Sequence, residues 1–291
     1  MQTSSNFTRR DFLKLAAAIS VPLTVFSVGG TYYSTKIEPA WLDIESVTIK
    51  LPNLRPAFDG LRLTQISDIH MGGWMNREQF EHVIDLVKGT YPDLILMTGD
   101  FVEYTSNFDR ALGAVQDVQD VLSSLNSMPA LAILGNHDYR SGVNFYLRAM
   151  FSRLKIVDLT NGVHTMVRGE GQLHFAGLDD LLMGFPDFNG VLAKLPQNGA
   201  AILLAHEPDF ADISSLARRF DLQISGHSHG GQVVLPIVGP PILPSMGEKY
   251  VSGLYRVGTM FQYTNRGVGM TEPYIRFNCR PEITVFNLKA A

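Results

Sequence analysis

The chain has 291 residues, 45% of them hydrophobic and 18% charged, with a formal net charge of −4. That balance supports one large α/β domain or two small ones and excludes a disordered or collagen-like chain. It provides no basic field for duplex nucleic acid, so no nucleic-acid partner is expected. The single cysteine, Cys279, excludes an intramolecular disulfide and a cysteine-built zinc site, and reads as a small core residue.

In chain order, Thr8-Arg9-Arg10-Asp11-Phe12-Leu13-Lys14 runs into the apolar stretch LAAAISVPLTVFSVGG. A charged n-region followed by a moderately apolar stretch is the plan of an export signal. Leu15 to Gly30 falls short of the roughly 20 residues a membrane span requires, and Pro22 interrupts it. The arginine pair and the residues after it resemble the twin-arginine consensus. That resemblance implies export of the folded protein by the Tat translocase, to the periplasm or the outer face of the membrane or cell wall. Residues 1–30 are thus read as a twin-arginine signal or N-terminal anchor, and residues 31–59 as a linker and first strand.

From residue 60 a strand–helix plan repeats. LRLTQISDIH precedes NREQFEHVIDLVKG, whose Phe80, Val83, Ile84 and Val87 have helical spacing. PDLILMTGD precedes a helical stretch from about Phe108 to Leu125, and PALAILGNHD precedes GVNFYLRAMFSRL. Three such units predict an α/β sheet of buried parallel strands. The second half is richer in strands, with a hairpin around Gly169–Gly171. GAAILLAHEPD and FDLQISGHSH follow, with a helix from about Phe210 to Arg218 between them, and then LYRVGTMFQYTNRGVG and PEITVFNL. With no long Pro/Gly/Ser linker, residues 60–291 read as one domain.

The apolar runs stop on a consistent set of residues. They end at Asp68-Ile69-His70, Gly99-Asp100, Gly135-Asn136-His137-Asp138, His206 and Gly226-His227-Ser228-His229. In open α/β sheets ligands bind beyond the carboxyl ends of the strands. Taken singly, Asp-x-His or Gly-Asp is an ordinary turn or cap. Gly-His-Ser-His-Gly-Gly is more specific, because glycine removes bulk where backbone and metal approach closely. Five such ends supply O and N donors suited to divalent Mn, Fe, Zn or Ni.

The series D-x-H, GD, GNHD, a later His and GHSH resembles the calcineurin-like metallophosphoesterase superfamily over roughly residues 60–290. GHSHGGQVVLP, GLYRVG, NRGVG and RPEITVFNL are similar to its exported bacterial phosphodiesterase-like branch, some of whose members cleave the pyrophosphate of a UDP-linked acylated glucosamine. The resemblance implies a four-layer α-β-β-α sandwich, and makes residues 60–291 the catalytic domain. It implies that Asp68, His70 and His229 hold one ion, that Asn136, His206 and His227 hold a second, and that Asp100 bridges them. Neighbouring imidazoles at i and i+2 point the same way and can reach two adjacent ions. Such a pair clamps a phosphate and lowers the pKa of a bridging water, so that a bridging hydroxide is the implied nucleophile. His137 is the implied catalytic non-ligand, stabilising the transition state or protonating the leaving oxygen; Asp138 either orients it or caps the backbone.

Arg77, Arg140 and Arg266 are candidates to hold an anionic substrate, with Arg140 and Arg266 carried forward. His82, His164 and His174 read as structural or surface residues, and Asp179-Asp180 as a turn. Val233–Pro244 is more apolar than a usual loop. It reads as a hairpin packed on the core, or as an exposed lip that accepts acyl chains or touches a membrane. The expected activity is dinuclear metal-dependent hydrolysis of a phosphodiester or pyrophosphate in a phosphorylated small-molecule or lipid-linked envelope substrate, such as a UDP-diacylglucosamine-like molecule. A phosphomonoesterase is the alternative within the enzyme class, and a non-catalytic metal-containing envelope binding protein the alternative outside it.

Overall fold

The computed structural model describes residues 28–125 and 128–291, so the signal reading, apart from its last three residues, lies outside the described residues. Among the described residues no helix is long and apolar enough to cross a membrane. Two six-stranded sheets form the centre. The first contains β1 (Asp43–Leu51), β2 (Arg62–Ile66), β3 (Leu94–Thr98), β4 (Ala130–Ile133), β5 (Val157–Asp158) and the last strand, β12 (Glu282–Ala290), in the order β1-β12-β2-β3-β4-β5. The second contains β6 (Gly162–Arg168), β7 (Gly171–Gly177), β8 (Ala200–Leu204), β9 (Leu222–Ser225), β10 (Gly253–Val257) and β11 (Met260–Thr264), in the order β10-β11-β9-β8-β7-β6. The strands β2 to β5 run parallel, as do β7, β8, β9 and β11, whereas the edge strands β6 and β10 pair antiparallel as hairpin arms.

Alternation along the strands divides the apolar side chains among three cores. Leu63, Leu96, Leu131 and Ile133 of the first sheet meet Phe175, Ile202, Leu204 and Ile224 of the second. The intervening Ile95, Met97 and Ala132 face outward onto helices α1 (Arg77–Gly89), α2 (Phe108–Leu122) and the later α4 (Asn144–Leu154). Across the second sheet, Ala176, Ala201 and Leu203 pack against α5 (Phe188–Lys194) and the one-turn α6 (Ala211–Ser214). The result is the expected four-layer α-β-β-α sandwich. Helix α1 buries Phe80, Val83, Ile84 and Val87, and a capping box between Asn76 and Gln79 fixes its start.

Three elements depart from expectation. Helix α2 ends at Leu122, and Ser123–Leu125 tightens into a 3-10 turn. The helix expected over Phe210–Arg218 is α6 flanked by 3-10 turns, ending at Arg218 with φ of 51°. Val233–Pro244 is not a core hairpin. It closes only a tight turn between Leu235 and Gly239, and it leaves Ile237, Val238 and Ile242 largely exposed. With prolines at Pro236, Pro240, Pro241 and Pro244, too few backbone donors remain for a strand ladder.

Candidate metal centre

Parallel strands place their carboxyl ends on one rim, and five of them converge. Asp68 and His70 follow β2, Asp100 follows β3, and His206 and His227–His229 follow β8 and β9. Asn136, His137 and Asp138 lie on α3 (Asn136–Arg140), directly after β4. Five of these residues have left-handed backbone: Asp68, His70, Asp100, His227 and His229, with φ between 50° and 68°. Such conformations are costly for residues with a Cβ and cluster at functional sites. Hydrogen bonds to the rim hold them: Asp68 N–H donates to Gly99 O at 3.0 Å and His70 N–H to Asp100 O at 3.1 Å. Two glycines leave room. A Cβ at Gly135 would run into the Asp100 carboxylate, and one at Gly226 into Ser67 and Asp68.

Asp68, His70, Asp100, Asn136, His137, His206, His227 and His229 meet in one cluster, all buried but the half-buried Asn136 and His137. His229 stands with His70, Nε2 to Nε2 at 3.0 Å, and 3.6 Å from Asp68 Oδ1. His227 stands with Asn136, Nδ1 to Oδ1 at 3.1 Å, and its ring centroid is 5.0 Å from that of His206. Asp100 Oδ2 lies between the groups, 3.2 Å from His206 Nε2 and 3.6 Å from His70 Nε2. Its Oδ1 accepts the His137 N–H at 2.8 Å, and the His137 ring meets His70 edge-on at 4.7 Å.

The donor set fits divalent cations. His206 donates Nδ1–H to Thr98 O at 2.7 Å, which turns the Nε2 lone pair toward Asp100, where it makes no hydrogen bond despite burial. His227 donates Nε2–H to Ser245 O at 2.9 Å. Its Nδ1 lone pair therefore faces the amide oxygen of Asn136, an acceptor-to-acceptor contact that a cation resolves. Donor atoms of Asp68, His70 and His229 lie within 4.8 Å of one another, as do those of Asp68, Asp100 and His206, and those of His70, Asp100 and His137. Without a cation, the electrostatics hold two of these imidazoles neutral and one charged. Burial drives His229 well below the usual histidine range, and burial with the neighbouring His206 charge takes His227 down to about 4. Burial also opposes charge on His206, but Asp100 overcomes it and holds that imidazole well above its usual value.

Glu103 was not singled out by sequence. It lies three residues beyond Asp100, partly buried, with Oε2 3.2 Å from His70 Nδ1 and Oε1 3.4 Å from His137 Nδ1. Those two histidines outweigh burial and bring its carboxyl down to about 2. For His137, burial opposes protonation, but Asp100 and Glu103 raise it to about 9. Tyr104 N–H donates to Glu103 Oε1 at 3.1 Å, and the same carboxylate oxygen faces His137 Nδ1, so the other ring nitrogen of His137 is left for the site. Asp138 caps backbone: it accepts from Phe101, Val102 and Gly135 and makes no bond to the His137 ring. Arg276, also unforeseen, is fully buried; it donates to the carbonyls of Arg266, Gly267, Gly269 and Cys279, bracing the loop behind His229. Cys279 is buried, and its thiol points to His229 O at 3.2 Å.

Arg266 is corrected as a substrate residue. Its guanidinium is 2.6 Å from Glu282, 3.3 Å from Glu45 and 3.6 Å from Asp43, so carboxylates of its own chain already neutralise it. Arg140 lies 4.1 Å over the Tyr104 ring, next to the cluster, while Arg77 pairs with Glu81 and Asp120 on the helix surface. His174 is a satisfied core histidine bonded to Thr165 and Asn198 O.

The model of the calcineurin-like phosphoesterase family matches residues 61–231, which span every strand end that builds the cluster. The chain is 35% identical over 285 residues to the uncharacterized metallophosphoesterase YkuE of Bacillus subtilis, covering 97% of this chain and 98% of that one. It is 31% identical over 287 residues to the phosphodiesterase YaeI of Escherichia coli, covering 97% and 99%. A putative 5'-nucleotidase structure from Staphylococcus aureus aligns over 79% of this chain and 54% of its own, at 15% identity and a TM-score of 0.47. With its fold, its rim of clustered ligands and these full-length relatives, the chain belongs to the calcineurin-like phosphoesterase family.

Proposed function

We propose that this protein hydrolyses a phosphodiester or pyrophosphate bond at the cell envelope, using two divalent ions. The observation that carries the reading is the convergence of Asp68, His70, Asp100, Asn136, His206, His227 and His229 beside His137, where strand ends of the two sheets meet. Asp68, His70 and His229 would hold one ion and Asn136, His206 and His227 the other, with Asp100 shared between them. When bound, such a pair supplies Lewis acidity for the phosphoryl oxygens and acidifies water. The chain's own part is orientation. Glu103 fixes His70 and His137, and His137, with Nδ1 occupied, presents Nε2 to the site, where it can hold a proton for the departing oxygen. The name of the E. coli relative favours a diester.

Export by the Tat translocase is part of the same proposal, supported by Arg9-Arg10 and the apolar run after them. A membrane-surface location is supported by the exposed Ile237, Val238 and Ile242. The described N-terminal segment is tied to the chain beside this stretch: Ser34 O accepts from Arg276 N–H at 2.9 Å, and the adjoining Phe277 pairs with Val233. The test compares metal-loaded protein on bis-p-nitrophenyl phosphate and p-nitrophenyl phosphate, with Asp100→Ala as control. Faster diester turnover that Asp100→Ala abolishes is expected. Strong monoester preference would make it a phosphomonoesterase, and activity unchanged by Asp100→Ala would remove the metal centre from the chemistry.

A further inference from the structure

The metal cluster opens on two cavities of opposite character. One, of about 460 Å³, reaches from Asn136 and His227 to a wall of Val233, Pro241, Ile242, Leu243, Pro244 and Ile275. Its volume is that of a small-molecule site. The other, of about 520 Å³, is lined by Glu103, Tyr104, Thr105, Ser106 and Tyr274. His137, Thr271 and Glu272 line both, so the ring of His137 stands where the two meet. The partition is fixed. Gln232 donates to the carbonyls of Thr271 and Pro273 at 3.1 and 2.9 Å and accepts the Thr271 N–H at 3.0 Å. Among the described residues no lysine or arginine lines the apolar cavity, so a second phosphate on that arm would find no side-chain cation, and beside the other cavity the Arg140 guanidinium is stacked over the Tyr104 ring at 4.1 Å.

We infer that the substrate is an amphiphilic phosphodiester with a single phosphate, whose apolar arm fills the Val233–Ile275 cavity and whose hydroxyl-bearing arm lies in the Thr105–Tyr274 cleft. This rests on the phosphoesterase reading and selects diester over pyrophosphate within it. The phosphorus sits at the junction beside His137. Water adds across one P–O bond, its oxygen going to phosphorus and its proton to the departing oxygen, to give a phosphate monoester and an alcohol.

The experiment uses metal-loaded full-length protein with synthetic probes. Methyl and octyl p-nitrophenyl phosphate are compared by kcat/KM, and methyl- and octylphosphonate, which cannot be hydrolysed, by calorimetric binding. Each methylene that enters the cavity tightens binding about fourfold, the ratio equivalent to about 0.8 kcal/mol per buried methylene. Two buried methylenes therefore already give the octyl probes more than about a tenfold advantage in both readouts. Ile242→Glu, at a position 80% exposed and thus harmless to folding, brings the octyl-to-methyl ratio to within about twofold. Dioctyl phosphate, whose second chain has to enter the hydroxyl-lined cleft, is cleaved about tenfold more slowly than octyl glyceryl phosphate. Turnover and phosphonate binding independent of chain length would overturn the inference and leave the phosphoesterase reading standing. Absence of any phosphoester hydrolysis by the loaded protein would overturn both.

Discussion

Glu103→Gln isolates the role of a carboxylate that touches no proposed ion position. The change preserves volume and shape but removes the charge facing His70 Nδ1 at 3.2 Å and His137 Nδ1 at 3.4 Å. In the native protein that carboxylate orients His70 and makes its Nε2 a stronger donor. Loss of such a partner costs about 10–100-fold in metal affinity or activity, or about 1.4–2.7 kcal/mol. The assay is titration of metal-stripped protein with Zn²⁺ or Mn²⁺, followed by kcat/KM on bis-p-nitrophenyl phosphate at saturating metal. The pH dependence of the metal-free fold provides a second readout. Glu103 is held at about 2, below its ordinary 4.5. Its stabilisation is therefore present above pH 4.5 and is lost as pH falls toward 2. Glu103→Gln should flatten that acid limb. Metal affinity and activity within twofold of wild type, with an unchanged acid limb, would refute the role assigned to Glu103.

Metal loading should stabilise the protein: at a free ion concentration 100 times Kd the gain is about 2.7 kcal/mol. At roughly 2–4 °C per kcal/mol for a chain this large, Tm rises by about 5–10 °C, and Asp100→Ala should suppress the rise in a thermal melt. Gly226→Ala places a methyl group against Ser67 and the Asp68 carboxylate. It should cost about 1–3 kcal/mol in urea unfolding and weaken metal binding as well, whereas a purely structural glycine would show the first effect alone. Ile237→Ser with Val238→Ser, both exposed in the wild type, should reduce co-sedimentation with anionic lipid vesicles while leaving Tm unchanged. Unaltered co-sedimentation would remove the lip from membrane contact.

The parts of this protein legible in sequence are those set by periodicity and strand-end chemistry. Phe80, Val83, Ile84 and Val87 read as one helix face because burial imposes a 3.6-residue repeat, and they are buried as one face. Asp68, Asp100 and His227–His229 read as a rim because each comes at the end of a strand-like stretch. Glu103 escaped because its segment, Phe101-Val102-Glu103-Tyr104, has no period, and only the fold brings it to His70 and His137. Arg266 misled for the related reason that its carboxylate partners Glu45 and Glu282 are 221 and 16 residues away. Val233–Pro244 has a strand-like composition, but its prolines remove the donors a ladder needs, a local effect outweighing the hydrophobic pattern.

The strained backbone explains why the centre is built between two sheets instead of on one loop. Residues held in left-handed conformation cost about 1–3 kcal/mol each, so Asp68, His70, Asp100, His227 and His229 together carry a load comparable to the whole stability of a typical domain, about 5–15 kcal/mol. A free loop would relax. In this fold hydrogen bonds to neighbouring segments hold the strained residues. Asp68 N–H reaches Gly99 O, Val268 N–H reaches Ser67 O, and His227 N–H closes the gap between the sheets onto the Asp68 carboxylate. Behind them the shared core of Leu63, Leu96, Ile202 and Ile224 fixes the distance between the two sets of strand ends. The same bonds that maintain the strain bring Asp68, His70 and His229 to face Asn136, His206 and His227. The strain is thus offset by the sheet pairing and core packing that surround the strand ends.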